Sequence, residues 1–262
     1  MTDTIDRQNL LARLRPIAEA AGAAIMEVYA TDFDVDDKSD GSPVTAADHA
    51  ADAVIYKGLR EIAPDIHIVT EERFKAGDAV PEDAPFFLVD PLDGTKEFIR
   101  RNGEFTVNIA LVEDGRPTAG IVLAPALGRA FWGAAGVGAF ASDNGAVREI
   151  AARTPPAAGW TAIGSRSHTS REDARLLEGL TVAETKQAGS SLKFCLIAAG
   201  EADIYPRMGP TMEWDTAAGQ AVLEAAGGHV VTPEGAPFTY RKPGLRNGYF
   251  LAFGRVRPPS VA

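Results

Sequence analysis

The sequence predicts an α/β protein built in two halves, and three observations carry that reading. Residues 7–62 show helical periodicity, residues 86–150 break into short apolar runs separated by turns, and residues 160–253 alternate strand-like and helix-like segments. The irregular stretch 151–159, with Thr154-Pro155-Pro156, reads as the linker between them. The expected domains are therefore 1–150 and 151–262.

Taken in order, Leu10, Leu11, Leu14, Ile17, Ala18, Ala21, Ile25 and Val28 share one broad face, which predicts a helix from Arg7 to Tyr29. Residues 32–40 read as an acidic connection closing on Gly41-Ser42-Pro43. A second helix is expected over 45–62, with Thr45 and Asp48 in the relation of a capping box, Asp replacing the usual Glu. The apolar run 66–69 ends at Thr70-Glu71-Glu72, and the run 86–89 ends at Asp90-Pro91-Leu92-Asp93-Gly94-Thr95. Pro91 has no N–H, so the ladder is expected to stop there and the chain to turn. Residues 105–112 and 117–123 form a hairpin, and 130–133, 138–141 and 147–150 continue it as a meander. Beyond the linker, strands are expected near 161–163, 182–184, 203–205 and 248–253, and helices over 170–180, 190–199 and 214–226.

The chain has 262 residues and is 45% hydrophobic, enough for one large or two smaller cores. No apolar run reaches the ~18 residues of a membrane span, and the acidic N-terminus does not resemble a signal peptide. The single cysteine, Cys195, rules out an internal disulfide, fits a reducing cytoplasm, and sits among core-type neighbours. A net charge of −10 opposes binding to nucleic acid polymers or anionic membranes. It leaves room for a small anionic substrate, because metals and nearby cations set the local field. Peripheral membrane attachment stays open, as do monomer and homodimer.

The most informative chemistry lies in the segment 90–95. Two carboxylates three residues apart, with the Leu92 carbonyl between them, offer hard oxygen ligands that suit Mg²⁺. Asp, Pro and Gly also favour plain surface turns, so this segment alone leaves both readings open. Glu71 ends another strand, Asp215 opens a small-residue helix, and Asp48 lies in a helical first turn. If Glu71, Asp90, Asp93 and Asp215 converge, each pair at ~4 Å and a dielectric of ~20 repels by about 4 kcal/mol. Divalent cations would relieve that repulsion.

These motifs resemble the lithium-sensitive, Mg²⁺-dependent phosphatases of the inositol monophosphatase superfamily. Residues 90–95 are similar to its first signature and Trp214-Asp215-Thr216-Ala217-Ala218-Gly219 to its second. Within it, residues 89–99, 102–110, 189–195 and Ile204-Tyr205-Pro206-Arg207 resemble the 3′(2′),5′-bisphosphate nucleotidase subgroup. The likeness runs from about Asp37 to the last strand. It implies a layered αβαβα sandwich of the inositol monophosphatase and sugar phosphatase type, with metals where the halves meet. The implied metal ligands are Glu71, Asp90, the Leu92 carbonyl, Asp93 and Asp215, holding two to three Mg²⁺ ions with Asp90 bridging two. Thr95, oriented by Asp48, would activate the attacking water, and Gly94 and Thr95 would donate to the scissile phosphate. His168, Ser190, Lys193 and Arg207 match the nucleotide-binding positions.

The implied reaction is hydrolysis of the 3′-phosphate of adenosine 3′,5′-bisphosphate to AMP, with phosphoadenylyl sulfate as a second substrate, clearing a by-product of sulfate assimilation. An inositol or sugar phosphate phosphatase is the alternative within the class, and a noncatalytic nucleotide sensor the alternative outside it. Bland readings remain for several residues. Asp48 can simply decorate a helix start, Lys193 and Arg207 can be solvated charge, and His168 can cap the helix that follows. Glu213 either touches substrate or faces water, and Trp214 reads as a packing anchor. An aspartyl nucleophile of the haloacid dehalogenase type needs acids two apart, and no P-loop is present.

Overall fold

The computed structural model describes residues 5–37, 43–165 and 171–259. The N-terminal part contains α1 (Arg7–Tyr29), β1 (Val35–Asp37), β2 (Pro43–Thr45), α2 (Ala46–Ile62), β3 (His67–Thr70), β4 (Phe86–Asp93) and α3 (Thr95–Ile99). The meander follows as β5 (Thr106–Glu113), β6 (Arg116–Ala124), β7 (Arg129–Ala134), β8 (Gly138–Asp143) and β9 (Ala146–Ile150). Past residue 159 come β10 (Trp160–Ser165), α4 (Arg171–Leu176), β11 (Val182–Ala188), α5 (Leu192–Ala198), β12 (Ile204–Arg207), α6 (Ala217–Ala225), β13 (His229–Val231) and β14 (Phe250–Phe253).

The strands gather into a seven-stranded sheet ordered β3-β4-β5-β6-β7-β8-β9 and a five-stranded sheet ordered β11-β10-β12-β14-β13. In the first, β3 and β4 are parallel and every later pair is antiparallel. Helices α1 and α2 cover one face of it, while α5 and α6 lie between the two sheets and α4 packs against β12 of the second. That is the expected αβαβα layering.

The period-2 pattern of β4 and β5 decides which core each side chain enters. Phe87, Val89, Ile109 and Leu111 join the cluster formed with α1 and α2, and Phe86, Leu88, Ala110 and Val112 join the cluster between the sheets. Both faces are buried, so each strand is apolar along its length; burying one such side chain contributes about 1.5–3 kcal/mol. A smaller cluster of Ala162, Ile204, Leu251 and Phe253, with Leu176 and Leu180, holds the outer helix layer. Helix α6 approaches the first sheet closely because Gly120 lacks a side chain. A Cβ there would lie 2.8 Å from the Ala218 carbonyl oxygen and 2.9 Å from the Ala221 Cβ.

The structure corrects the sequence reading at five points. Part of the stretch 32–40 is not mere connection, since β1 pairs antiparallel with β2. Strand β4 runs through Pro91 to Asp93: its ladder with β5 breaks after Asp90↔Asn108 and resumes at Asp93↔Thr106. Pro91 falls in the irregularity, where no N–H is needed. Glu71 does not itself end a strand: β3 stops at Thr70 and Glu71 follows it in a turn. The helix expected over 170–180 ends at Leu176, and β11 extends to Ala188. Strand β13 and helix α3 were not anticipated at all.

Candidate metal centre and cavity

Where the ends of β3 and β4, the start of α6 and the loop before α5 meet, a cavity of about 520 Å³ opens. Asp90 reaches it from the middle of β4, 2% exposed, with the Leu92 N–H donating to its Oδ1 at 3.1 Å. Leu92 sends its side chain into the core beneath α1 and α2 yet borders the cavity, which leaves its backbone as the part on offer there. Glu71 is fixed by its own N–H, which donates to the Val89 carbonyl at 3.0 Å. Asp215 sits in the turn ahead of α6, where the Met212 N–H donates to its Oδ2 at 2.8 Å.

Glu71, Asp90 and Asp215 each bring one carboxylate oxygen within 4.8 Å of the others. Asp93 stands outside that tight set but lines the same cavity. Burial, then the Asp93 charge and then that of Glu71, push the Asp215 carboxyl well above the usual range. Asp93 is raised too, chiefly by burial, against the opposing pull of Lys193 and of the Ser191 hydrogen bond. A donor set of oxygens alone, half-buried around the buried Asp90 and mutually repelling, fits a hard divalent cation and would be neutralised by one.

Gly94 turns the chain out of β4 with φ 90°, a left-handed conformation that favours glycine. A Cβ there would lie 2.2 Å from the Ser190 Oγ. Helix α3 then starts with Thr95, whose Oγ1 donates to Asp48 Oδ1 at 3.4 Å. The other oxygen of Asp48 accepts from both the N–H and the hydroxyl of Thr45, each at 2.8 Å, completing the expected capping box. The cap therefore aims one carboxylate oxygen at Thr95. Its helix-start role and its reach towards the cavity are one arrangement.

Lys193 lines the same cavity, is 5% exposed, and donates to the Ser190 and Ala188 carbonyls at 2.6 and 3.3 Å. Burial pushes its ammonium down to about 8, with Asp93 pulling it up and Arg207 pushing it further down. Arg207, at the end of β12, is 8% exposed; its Nη2 donates to the Pro210 carbonyl at 3.2 Å, while its buried Nε has no hydrogen-bond partner. Neither cation is solvated surface charge. Ser190 also lines the cavity, with φ 49°, and its hydroxyl lies 2.8 Å from both the Asp93 and Glu104 carbonyls. Its one hydrogen is thus committed to the protein, leaving only lone pairs for a ligand. His168 lies outside the described residues.

Several residues that shape the site were not singled out from the sequence. Asn108 donates from Nδ2 to the Ser191 Oγ at 2.9 Å, and that hydroxyl lies 2.6 Å from the Asp215 carbonyl and 3.2 Å from the Asp93 carboxylate. A buried Asn amid the apolar run of β5 was the available signal, because a buried amide demands partners. Asp52, one turn beyond Asp48, accepts from Thr70 Oγ1 at 2.6 Å and Arg73 Nε at 2.7 Å, gripping both flanks of Glu71. Glu213 neither faces water nor lines the cavity; it is fully buried. Trp214 packs edge-on against Phe74, as an anchor should. Cys195 is a buried core thiol, which burial pushes up and away from thiolate chemistry.

The sequence profile of the inositol monophosphatase family matches residues 6–249. The 3′(2′),5′-bisphosphate nucleotidase CysQ of Salmonella typhimurium is 47% identical over 235 residues, covering 88% of this chain and 94% of that protein. Among solved structures, CysQ from Bacteroides thetaiotaomicron superposes with a TM-score of 0.81 at 33% identity, covering 96% of this chain and 99% of that one. An inositol monophosphatase from Anabaena superposes at 0.74 with 28% identity, covering 96% and 93%. Members of that family depend on a divalent metal, typically magnesium, and the acids described above can hold one. Among the described residues, no helix is long and apolar enough to cross a membrane.

Proposed function

The chain belongs to the inositol monophosphatase family, and we propose that it hydrolyses the 3′-phosphate of adenosine 3′,5′-bisphosphate, releasing AMP and phosphate. The observation that carries this reading is a single cavity lined both by the carboxylates Glu71, Asp90, Asp93 and Asp215 and by the buried cations Lys193 and Arg207. A monophosphorylated polyol has no second phosphate for those cations to neutralise. The partnerless Nε of Arg207 supports an anionic ligand, since a buried guanidinium donor without an acceptor is costly.

In this reading Glu71, Asp90, Asp93, Asp215 and the Leu92 carbonyl hold two to three Mg²⁺ ions. Bound magnesium supplies positive charge for the phosphoryl oxygens and makes water more acidic. The chain's own groups do the rest. The Thr95 hydroxyl points its hydrogen at Asp48, so its lone pair faces the attacking water and accepts its proton as Asp48 takes the threonine's. The N–H groups of Gly94 and Thr95, at a helix start without intrahelical acceptors, donate to the phosphate being transferred. Water adds to phosphorus as the bond to the ribose 3′-oxygen breaks; that oxygen takes a proton from solvent water, and Asp48 returns to solvent the proton it received.

Lys193 and Arg207 bind the 5′-phosphate, and Ser190, whose hydroxyl keeps lone pairs for a ligand, contributes with His168 to the nucleotide site. Residues 1–150 and 151–262 then act as two domains, the first carrying most metal ligands and the second completing the site. Sulfate assimilation, lithium sensitivity and a cytoplasmic setting fit the same reading. Phosphate release from adenosine 3′,5′-bisphosphate, inositol 1-phosphate and fructose 1,6-bisphosphate, with Mg²⁺, with chelator and with Li⁺, tests it. The nucleotide should lead and chelator should abolish turnover; preference for either sugar phosphate would reject the assignment.

A further inference from the structure

Glu213 is a carboxylate with 0% exposure, two residues from Asp215 in sequence. Its partners come from one segment. Its two oxygens accept the Arg241 N–H at 3.0 Å and the Lys242 N–H at 2.9 Å, and the Lys242 ammonium lies 2.8 Å from Oε1. Successive N–H groups converge on it because Arg241 adopts φ 72°, which folds the backbone into a small anion-binding nest. A left-handed arginine is strained and persists only where its surroundings over-determine it. Here its side chain also donates to the Ala84 carbonyl at 2.7 Å, and the Lys242 ammonium sits over the Phe238 and Tyr240 rings at 4.6 and 4.9 Å.

The grip runs in both directions. The Glu213 N–H donates to the Leu245 carbonyl at 2.8 Å, and Asn247 Nδ2 donates to the Met212 carbonyl at 2.7 Å and contacts Thr216 Oγ1 at 3.1 Å. The Thr216 hydroxyl also meets the Tyr240 hydroxyl at 3.1 Å. Residues 239–247 therefore enclose the turn 212–216, in which the Met212 N–H orients the Asp215 carboxylate. Glu213 is not among the described residues lining the cavity, so it acts only through others.

We propose that Glu213 is a positioning residue for the metal ligand Asp215: its buried carboxylate fixes the turn that brings Asp215 to Glu71 and Asp90. The inference rests on reading those three acids as the metal site. Removing the charge leaves two N–H groups and an ammonium short of an acceptor, and the segment must relax to hydrate them. Asp215 loses its aim before any substrate contact is touched.

The test is Glu213→Gln, with Mn²⁺ and Mg²⁺ binding measured by calorimetry without substrate, alongside melting and steady-state kinetics. Metal affinity should weaken about 10- to 100-fold, as when groups orienting a ligand are lost. Turnover should recover at saturating Mg²⁺, with the substrate KM there unchanged. A lowered melting temperature with wild-type metal affinity would reduce Glu213 to a structural clamp and overturn the proposal. Should Glu213→Gln not fold, Lys242→Met, which keeps both backbone N–H groups, must still weaken metal binding; wild-type affinity in that folded variant overturns it equally. A wild-type chain that binds no divalent ion would remove the metal reading itself, whereas unchanged variants beside a metal-binding wild type remove only this inference.

Discussion

Asp90 and Asp215 end up in one cluster but are held there by different means. Asp90 is mounted on β4, in the interior of a seven-stranded sheet, where it pairs with Asn108 of β5 and the residue before it, Val89, pairs with Thr70 of β3. Asp215 is mounted on a turn, and what fixes it is the Met212 N–H on its carboxylate, with the side chains of Glu213, Thr216, Tyr240 and Asn247 holding the turn around it. A sheet positions a ligand through the main chain, whatever the neighbouring side chains are. A turn does so only through named partners. The C-terminal ligand should therefore be sensitive to substitutions that never touch metal or substrate, while the N-terminal one should yield chiefly to replacement of the ligands themselves.

The largest effect should come from the sheet-mounted side. Asp93→Asn and Thr95→Ala should each lower kcat by orders of magnitude with melting curves close to wild type. Wild-type turnover in both repurified variants would break the comparison at its first term. Next, Asp215→Asn removes one member of a repelling set whose carboxyl burial and like charge hold high. The metal-free protein should melt at or above the wild-type temperature, and the stabilisation gained on adding Mg²⁺ should shrink. A metal-free variant that melts lower, with its Mg²⁺ response intact, would place Asp215 in the scaffold instead.

The cationic lining gives a smaller, more selective effect. Lys193→Ala should raise KM for adenosine 3′,5′-bisphosphate far more than for inositol 1-phosphate, and a uniform loss would reject a second-phosphate role for Lys193. Because burial brings Lys193 down to about 8, its charge is present below that pH and lost above it. In the wild type the nucleotide KM should rise as pH passes upward through about 8, and that inflection should vanish in Lys193→Ala. The smallest effect concerns the cap. Thr45→Ala should cost about 1 kcal/mol of stability, or roughly 2–4 °C in a chain approaching this size. It should also lower kcat by freeing the Asp48 oxygen that Thr45 holds.

The same contrast explains what could be read from the chain. Helix α1 matches its expected bounds because its apolar face repeats without interruption, and the meander β5–β9 follows its turn residues closely. Glu71 and Asp90 were legible because each closes an apolar run of the sequence, and Asp215 because it opens a small-residue helix. Strand β1 was hidden because its residues are acidic and it pairs only with short β2, so burial left no period in it. Pro91 misled because a proline stops a ladder only where an N–H is required, and the break after Asp90 removes that requirement. Glu213 could not be recovered from its neighbours in sequence. Its partners lie nearly thirty positions onward, in a segment whose left-handed arginine has no sequence signature.

Gly120 lies on β6, far along the chain from the acids, and lets the backbone of α6 rest directly on the sheet beneath. Any side chain introduced there would act as a wedge under that helix, pressing at Ala218, only three positions past Asp215. Tilting the helix would swing its leading end, so the reach of a carboxylate into the cluster is governed by an empty spot under the opposite face of its support.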